Sequence, residues 1–321
     1  NYGYEGTLLL PRANGFFLTD GRYTTQARRE VSGFPVVTFK KKWEQIGRLA
    51  TRLKIGRLGY EARHISVAML QELEKHAGSR ELHPLIAELD SLRSCKDAGE
   101  IRLLKKAARI ASISLAQVLP LIRPGIREVE LAAELDYRMR CNGGQGSAFP
   151  TIVASGARSA LPHAAPGDKK IRAGDLLTID YGTLYEGYCS DETCTFVVGK
   201  ASARQKKLYG LVRQAHDLAI EALAGGMMAR DIDAAARNHL NRHGCGKYFT
   251  HGTGHGVGLN VHEFPTVSPA SDAVLRAGMV FHLMSWLMHS GRGDYFVSNA
   301  AIITEAGCEV LTKISQQLRV V

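Results

Sequence analysis

The sequence predicts an α+β fold with a pseudo-twofold repeat, preceded by a small α/β domain. In residues 1–95, short β-prone runs alternate with amphipathic stretches. Beyond residue 95, two segments offset by about 101 to 104 residues share one order of helices, glycines and apolar strands. A content of 45% hydrophobic and 22% charged residues is typical of a folded globular chain. We therefore expect two domains, at 1–95 and 96–321.

The N-terminal segment is predicted to begin with a hairpin and to continue as alternating helices and strands. The expected elements are a hairpin of strands 7–10 and 15–19, a helix over 23–31, a strand over 36–39, a helix over 43–53, a strand over 57–60 and a helix over 65–76. Because the hairpin begins close to Asn1, we expect earlier strands of this domain to be missing from the sequence.

The second domain is predicted to begin with a long helix after Lys96, and then to show the internal repeat. A helix over 128–141 follows Gly125 and ends at Gly143, and a helix over 231–243 follows Gly226 and ends at Gly244, so the glycine spacing is 18 in both copies. Further on, the segments Arg172-Ala173-Gly174 and Arg276-Ala277-Gly278 each precede an apolar strand. Two similar halves, whose sheets face each other across an internal cleft, explain this pattern.

Composition and charge exclude several classes of protein. No apolar run reaches the roughly 18 residues of a membrane span, and no basic-then-apolar leader is visible. Lys and Arg exceed Asp and Glu by 10, but the excess is scattered and no nucleic-acid motif accompanies it. The six cysteines include no C-x-x-C pair, so no disulfide framework or cysteine zinc site is predicted. We expect a cytoplasmic protein with no nucleic-acid or membrane partner.

The strongest local signal is a pair of aspartates on a predicted hairpin. A turn centred at 185–186 places Asp180 directly opposite Asp191. Such cross-strand positions have Cβ atoms roughly 4.5–5.5 Å apart, so the two carboxylates repel unless a cation lies between them. The alternative, a pair of surface aspartates, is disfavoured by the apolar residues around them.

A second signal combines glycines with histidines. His251, His255 and His262 lie within twelve residues and supply imidazoles for metal ligation or proton transfer. The intervening glycines allow the backbone to approach a ligand closely. His163, after Pro162, is a further candidate. A loop of core histidines with satisfied hydrogen bonds is the alternative interpretation.

These motifs resemble the pita-bread metallopeptidases, and most closely their Xaa-Pro aminopeptidase, prolidase and creatinase branch. The motifs that carry the resemblance are Ala148-Phe149 through Pro162-His163, Ile179-Asp180-Tyr181-Gly182, Ser190-Asp191 and His251-Gly252-Thr253-Gly254-His255-Gly256. The resemblance implies a homodimeric hydrolase with two divalent metals, held by two Asp, one His and two Glu, whose bridging water attacks the bond before proline.

The resemblance also implies roles for individual residues. Asp180, Asp191 and His255 match the first three metal ligands of the family. His163, His251 and His262 match the imidazoles that hold the substrate and stabilise the tetrahedral intermediate.

The C-terminal part departs from the family pattern at both glutamate positions. Met284 occupies the first and Ser298 the second. The internal repeat leads to the same Met284 assignment, because Asp180 follows Gly174 by six residues and Met284 follows Gly278 by six. A hairpin turning near 291–293 would then pair Met284 with Ser298. Thioether and hydroxyl groups are poor ligands for hard divalent ions, so a complete two-metal site is not expected.

His282 offers a replacement ligand or base. It precedes Met284 by two residues in the strand and therefore points to the same face. It could complete a one-metal site with Asp191 and His255, act as a base without metal, or only fill space. We expect three further residues that depart from the peptidase pattern to contact the substrate: Trp286, Tyr295 and Phe296.

Three functions remain open from the sequence. The first is a hydrolase of a short peptide or peptide-like amide, with an impaired or mononuclear site for one Mn, Co or Zn ion, or with no metal at all. The second is a metal-independent C–N hydrolase of the creatinase or ectoine-hydrolase type, with His163 or His282 as base. Segment 281–284 is similar to the ectoine-hydrolase branch. The third is a catalytically inactive or engineered relative that binds peptides in the cleft.

Overall fold

The chain folds into two compact units, Asn1–Leu89 and Asp90–Val321. The computed structural model describes residues 6–12, 14–288 and 295–321. The boundary predicted between 95 and 96 lies near this division and stays a prediction. Among the described residues, no helix is long and apolar enough to cross a membrane.

The first unit is built from two small sheets and three helices around its own core. One sheet has the order β1-β2-β3, with β1 antiparallel and β3 parallel to β2, and the other pairs β4 with β5 in parallel. The elements are β1 (Gly6–Leu9), β2 (Phe16–Asp20), α1 (Thr24–Glu30), β3 (Val36–Phe39), α2 (Lys42–Arg52), β4 (Arg57–Glu61), α3 (Val67–Ala77) and β5 (Glu81–Leu85). All predicted elements of this unit are confirmed. Only β5 was not predicted, because Pro84 argues against a strand and is tolerated only at a sheet edge.

The second unit contains the internal repeat. Its elements are α4 (Glu88–Ser94, across the division), α5 (Ala98–Val118), α6 (Glu128–Cys141), β6 (Gly146–Ser147), β7 (Ile152–Ser155), β8 (Leu176–Tyr181), β9 (Thr183–Tyr185), β10 (Tyr188–Cys189), β11 (Glu192–Val197), α7 (Ala203–Ala222), α8 (Ala229–Arg242), β12 (Gly254–Gly256), β13 (Glu263–Val267), β14 (Val280–Leu287), β15 (Tyr295–Thr304), β16 (Gly307–Val310) and β17 (Arg319–Val320). The predicted pair of helices and the two strands that follow the Arg-Ala-Gly segments are confirmed.

Two sheets, one from each half, form the centre of this unit. The first has the order β17-β11-β8-β7 and packs one face on α5 and α6; the second has the order β13-β12-β14-β15-β16 and packs one face on α7 and α8. The sheets meet where β11 lies against β15. There the Thr193 N–H donates to Ser298 Oγ at 2.7 Å, and Thr195 Oγ1 donates to the Phe296 carbonyl at 2.9 Å. Side chains on the inner faces of both sheets therefore converge.

The hairpin that carries the two aspartates turns one residue later than predicted. Glu186 and Gly187 occupy the turn with φ of 44° and 84°, a combination typical of a two-residue type I′ turn that favours glycine second. Asp180 consequently pairs with Thr193 rather than with Asp191, so the predicted direct opposition was wrong. A shift of one residue in the turn moves the register by two, and the two aspartates keep the same face.

Replacement of Gly187 by alanine should destabilise this hairpin. Gly187 has a φ of 84°, and a residue with a Cβ is strained in this left-handed region. We therefore expect a loss of about 1–2 kcal/mol in the free energy of unfolding. Gly210 is the matched control, because it lies inside α7 with open space where a Cβ would extend, so Gly210→Ala should stabilise by up to about 1 kcal/mol. Urea unfolding of both variants tests this, and equal effects would contradict it.

Candidate metal centre

The structure brings together Asp191, His255 and His282 at the meeting point of the two sheets. One ligand atom of each lies within 4.8 Å of those of the other two, and all three side chains are buried. Asp191 lies just before β11, whereas His255 on β12 and His282 on β14 are direct cross-strand neighbours. Asp191 Oδ2 lies 3.6 Å from His255 Nε2, and Asp191 Oδ1 lies 3.3 Å from His282 Nδ1.

Hydrogen bonds to backbone carbonyls fix the tautomers of both histidines. His255 Nδ1 lies 3.1 Å from the Gly256 carbonyl oxygen, and His282 Nδ1 lies 2.9 Å from that of Asp191. A carbonyl only accepts, so Nδ1 carries the hydrogen in each neutral ring and Nε2 keeps the lone pair. Burial lowers the pKa of His255 to about 4 and lowers the pKa of His282 as well. Both rings are thus neutral near pH 7, the state that binds a metal.

The two aspartates carry the negative charge of the site. Burial raises the pKa of Asp191, and repulsion from Asp180 raises it further. Burial likewise raises the pKa of Asp180 to about 6, although the hydrogen bond that Thr193 Oγ1 donates to Oδ1 at 2.8 Å opposes the shift. Carboxyl groups shifted in this direction are those that gain most from a bound cation.

The residues present do not fit a pair of metals. Met284 pairs directly with Ser298, as predicted, so neither position offers a carboxylate; the predicted turn at 291–293 lies outside the described residues. Ser298 is fully buried, and its Oγ already accepts the Thr193 N–H. Two aspartates cannot balance two dications. One ion does fit, because two neutral imidazoles and one carboxylate are a usual three-residue set for a catalytic metal with an open position.

Two further predicted histidines lie beside this cluster. The His262 ring lies tilted by 47° against that of His255 with centroids 4.2 Å apart, and the His255 ring stacks on that of His282 at 5.2 Å and 20°. Burial lowers the pKa of His262, and the nearby His163 lowers it further. His163 itself is exposed at the surface of the loop that follows β7. The row His163, His262, His255 therefore leads from solvent to the buried cluster.

His251 lies apart from the cluster and is held by a network of hydrogen bonds from α8. Its Nδ1 and Nε2 lie 2.6 and 3.1 Å from the carbonyls of Gly252 and Trp286, and burial lowers its pKa. Arg237 donates to the His251 carbonyl at 2.6 Å and pairs with Asp233, whose Oδ1 accepts from Thr253 Oγ1 at 2.7 Å. This network fixes the loop that leads into His255.

The three predicted substrate contacts separate into two groups. Trp286 and Phe296 are cross-strand partners whose rings stack in parallel, with centroids 4.7 Å apart and an angle of 1°. They line a small pocket together with Asp180. Tyr295 lies on the opposite face of β15, buried in the core against α7 and α8. The structure therefore does not bring Tyr295 together with the other two.

Two buried carboxyl groups near the site were missed by sequence reasoning. Glu192 on β11 accepts hydrogen bonds from Tyr181 Oη at 3.0 Å and Ser112 Oγ at 3.1 Å, on the face away from the cleft. Glu263, next to His262, pairs with the buried Lys96 at 2.9 Å. The adjacent pair Asp191-Glu192 was the available signal, since one of two neighbours on a buried strand must face the helices.

Comparisons with known proteins agree with the predicted fold. A model of metallopeptidase family M24 matches residues 102–305, and a model of the creatinase/prolidase N-terminal domain matches residues 2–95. The chain is 36% identical to the Xaa-Pro dipeptidase of Pyrococcus furiosus over 325 residues, which cover 99% of this chain and 92% of that one. The structure of an Xaa-Pro dipeptidase from Bacillus anthracis superimposes with a TM-score of 0.96 at 35% identity, covering 100% of this chain and 90% of that chain. An X-Pro aminopeptidase from Thermotoga maritima gives 0.91 at 33% identity, covering 98% and 90%. The pita-bread fold is confirmed.

Glu192 should make the protein less stable as the pH rises. Burial raises the pKa of Glu192 from 4.5 to about 8, so the fold favours the protonated form. This contribution is complete below pH 4.5 and is lost toward pH 8, at up to about 1.4 kcal/mol per pH unit. Glu192→Gln lacks this titration, so its stability relative to the unmodified protein should increase from pH 5 to pH 7.5. Urea midpoints in EDTA measure the difference, with the exposed Glu305→Gln as control; a pH-independent difference would contradict the assignment.

Proposed function

The chain belongs to metallopeptidase family M24, and from this premise we propose that it hydrolyses an amide bond of a short peptide at a site for one divalent metal ion. The observation that carries the proposal is the convergence of Asp191, His255 and His282, with Met284 and Ser298 at the two positions where the family pattern has glutamate. The similarity to Xaa-Pro dipeptidases favours a dipeptide with proline in second place.

The chain's own residues would bind the ion and orient the substrate. Asp191 supplies the charge, and His255 and His282 supply the neutral nitrogens. When bound, a divalent ion would polarise the substrate carbonyl and lower the pKa of a water. We expect His262, whose ring centroid lies 4.2 Å from that of His255, and the exposed His163 to donate hydrogen bonds to the substrate carbonyl as charge develops on it. The buried inner faces of both sheets exclude bulk water.

A metal-independent C–N hydrolase is the second candidate, and one contact favours it. Asp191 Oδ1 lies 3.3 Å from His282 Nδ1, an arrangement in which a carboxylate orients an imidazole base. Burial lowers the pKa of His282, which keeps the ring unprotonated and able to accept a proton. Metal removal distinguishes this candidate from the first, because its turnover would survive removal of all divalent metal.

Further properties come from the resemblance alone. We propose a homodimer that acts in the cytoplasm on small peptides. Light scattering coupled to size exclusion measures the oligomeric state directly.

Removal of His282 should weaken metal binding strongly. Protein purified without chelator and dialysed against Mn²⁺ should hold one equivalent by mass spectrometry, and His282→Ala should bind it at least about 10- to 100-fold more weakly. The exposed His64→Ala is the matched control. Hydrolysis of Xaa-Pro dipeptides should require the metal, so the rate of the His282→Ala variant should fall together with its metal content.

Three outcomes would contradict the one-metal site. Two bound equivalents would mean that residues other than carboxylates complete a second site. Turnover that persists in EDTA would favour the metal-independent hydrolase. Peptide binding without hydrolysis under any condition would leave only the inactive, peptide-binding relative.

A further inference from the structure

An exposed loop between β7 and β8 carries His163, and short-range backbone hydrogen bonds shape it. It begins with a short 3-10 turn, Gly156–Ala160, and the backbone contacts that follow, at 3.0 and 3.2 Å, join residues three positions apart within the loop itself. We propose that Arg158, bound to Glu128, is a positioning residue that holds His163 at the cleft. This names a further residue of the same site and therefore rests on the proposed function.

Glu128 is the fixed point of this arrangement. Its side chain is fully buried at the first position of α6, where the helix N-terminus favours a negative charge. One carboxylate oxygen, Oε1, accepts hydrogen bonds at 2.8 Å from both the N–H and the hydroxyl of Ser155, the last residue of β7. The carboxylate thus joins α6 to the end of the strand from which the loop starts.

Arg158 extends this anchor into the loop. Its Nε donates to Glu128 Oε2 at 3.0 Å, and its Nη2 donates to the Ala165 carbonyl at 2.6 Å. His163 lies between residues 158 and 165, so the guanidinium fastens both sides of the histidine to one buried carboxylate. Since the guanidinium is planar, its two bonds also fix the direction in which the loop runs.

A second cation fixes the start of the loop. Lys169 Nζ donates to Ser155 Oγ at 2.5 Å and to Asp175 Oδ2 at 3.0 Å. Gly156 has a φ of 59°, and a Cβ there would lie 2.9 Å from Asp175 Oδ1. The loop therefore leaves β7 along a path that charged side chains define, and the position of its far end depends on Arg158.

The second half of the unit contains the same arrangement beside another predicted site histidine. Asp233 Oδ1 on α8 accepts from the N–H of Thr253 at 3.1 Å and from its hydroxyl at 2.7 Å. Arg237 pairs with Asp233 and donates to the His251 carbonyl at 2.6 Å. Each half thus connects a buried helix carboxylate, a hydroxyl residue at a strand and an arginine to a loop with one histidine. Because the arrangement recurs at a histidine in both halves, placement of that side chain explains it better than the stability of one helix does.

The Arg158→Lys variant separates positioning from stability. Lysine keeps the positive charge next to Glu128, but its single nitrogen cannot reach both the carboxylate and the Ala165 carbonyl. We expect the urea midpoint to remain close to that of the unmodified protein, while kcat for Ala-Pro in the presence of Mn²⁺ falls at least about tenfold with little change in KM. Arg127→Lys is the matched control, because the ion pairs of Arg127 lie at the surface.

A double variant tests whether the effect passes through His163. In a His163→Ala background, Arg158→Lys should change kcat by less than about twofold, because the side chain that Arg158 positions is already absent. A role in general stability would lower kcat by the same factor in both backgrounds. Metal content should remain one equivalent in every variant.

Hydrogen–deuterium exchange measures the loop without any use of activity. Amides of residues 156–165 should exchange at least about tenfold faster in Arg158→Lys, because one charge-assisted hydrogen bond no longer restrains the loop. Amides of the loop held by Arg237, residues 249–253, should exchange at the same rate as in the unmodified protein. They serve as the internal reference for the intact fold.

The outcomes separate this proposal from the proposed function. In an active enzyme, an unchanged kcat or an unchanged exchange rate in Arg158→Lys would overturn the positioning role, as would equal losses of kcat with and without His163. Loss of bound metal in Arg158→Lys would also overturn it, since Arg158 would then act on the metal cluster. Faster exchange of the loop in a protein that hydrolyses no Xaa-Pro peptide would instead retain the restraint by Arg158 and refute the proposed function.

Discussion

Two aspartates in the cleft between the sheets, with no protein cation beside them among the described residues, are the constraint on which the site depends. Asp191 contacts two imidazoles that burial keeps neutral, and Asp180 contacts a hydroxyl. Charge in such surroundings must be neutralised by protons or matched by a ligand. A full set of four carboxylates could balance two dications, whereas the two present balance one. The identity of two other side chains, Met284 and Ser298, thus decides how many metals the fold can hold.

The geometry of the cluster depends on contacts made outside it. Arg237 and Asp233 hold the backbone and Thr253 on the approach to His255, and the buried pair of Lys96 and Glu263 anchors the strand that follows His262. Each of these ion pairs is buried or partly buried and hydrogen-bonded to the backbone, so its loss would leave polar groups unsatisfied. The ligands therefore sit on two rigid sheets and on a loop that is rigid because charged side chains restrain it.

The parts of the site that sequence could predict are those that follow from periodicity. The position of Met284 came from the internal repeat, because both halves begin a strand at the same distance from a glycine, and its pairing with Ser298 came from the expected hairpin between the two strands. The same register places Trp286 opposite Phe296 and assigns Tyr295 to the helix side, a consequence that the prediction of three substrate contacts ignored. The aspartate register was wrong because Glu186 accepts a positive φ, which no pattern of apolar residues reveals. The Asp233–Arg237 pair was missed because an i, i+4 ion pair is usual on any exposed helix.

The replacements at the site are mutually consistent, which distinguishes remodelling from decay. Ser298 uses its hydroxyl to accept the Thr193 N–H and thereby joins the two sheets. Trp286 and Phe296 stack on each other directly beyond the Met284–Ser298 pair, so bulky rings occupy the side of the cleft that has lost its charge. Random loss of single ligand residues would leave the remaining carboxylates repelling one another and an empty space where each lost side chain had been.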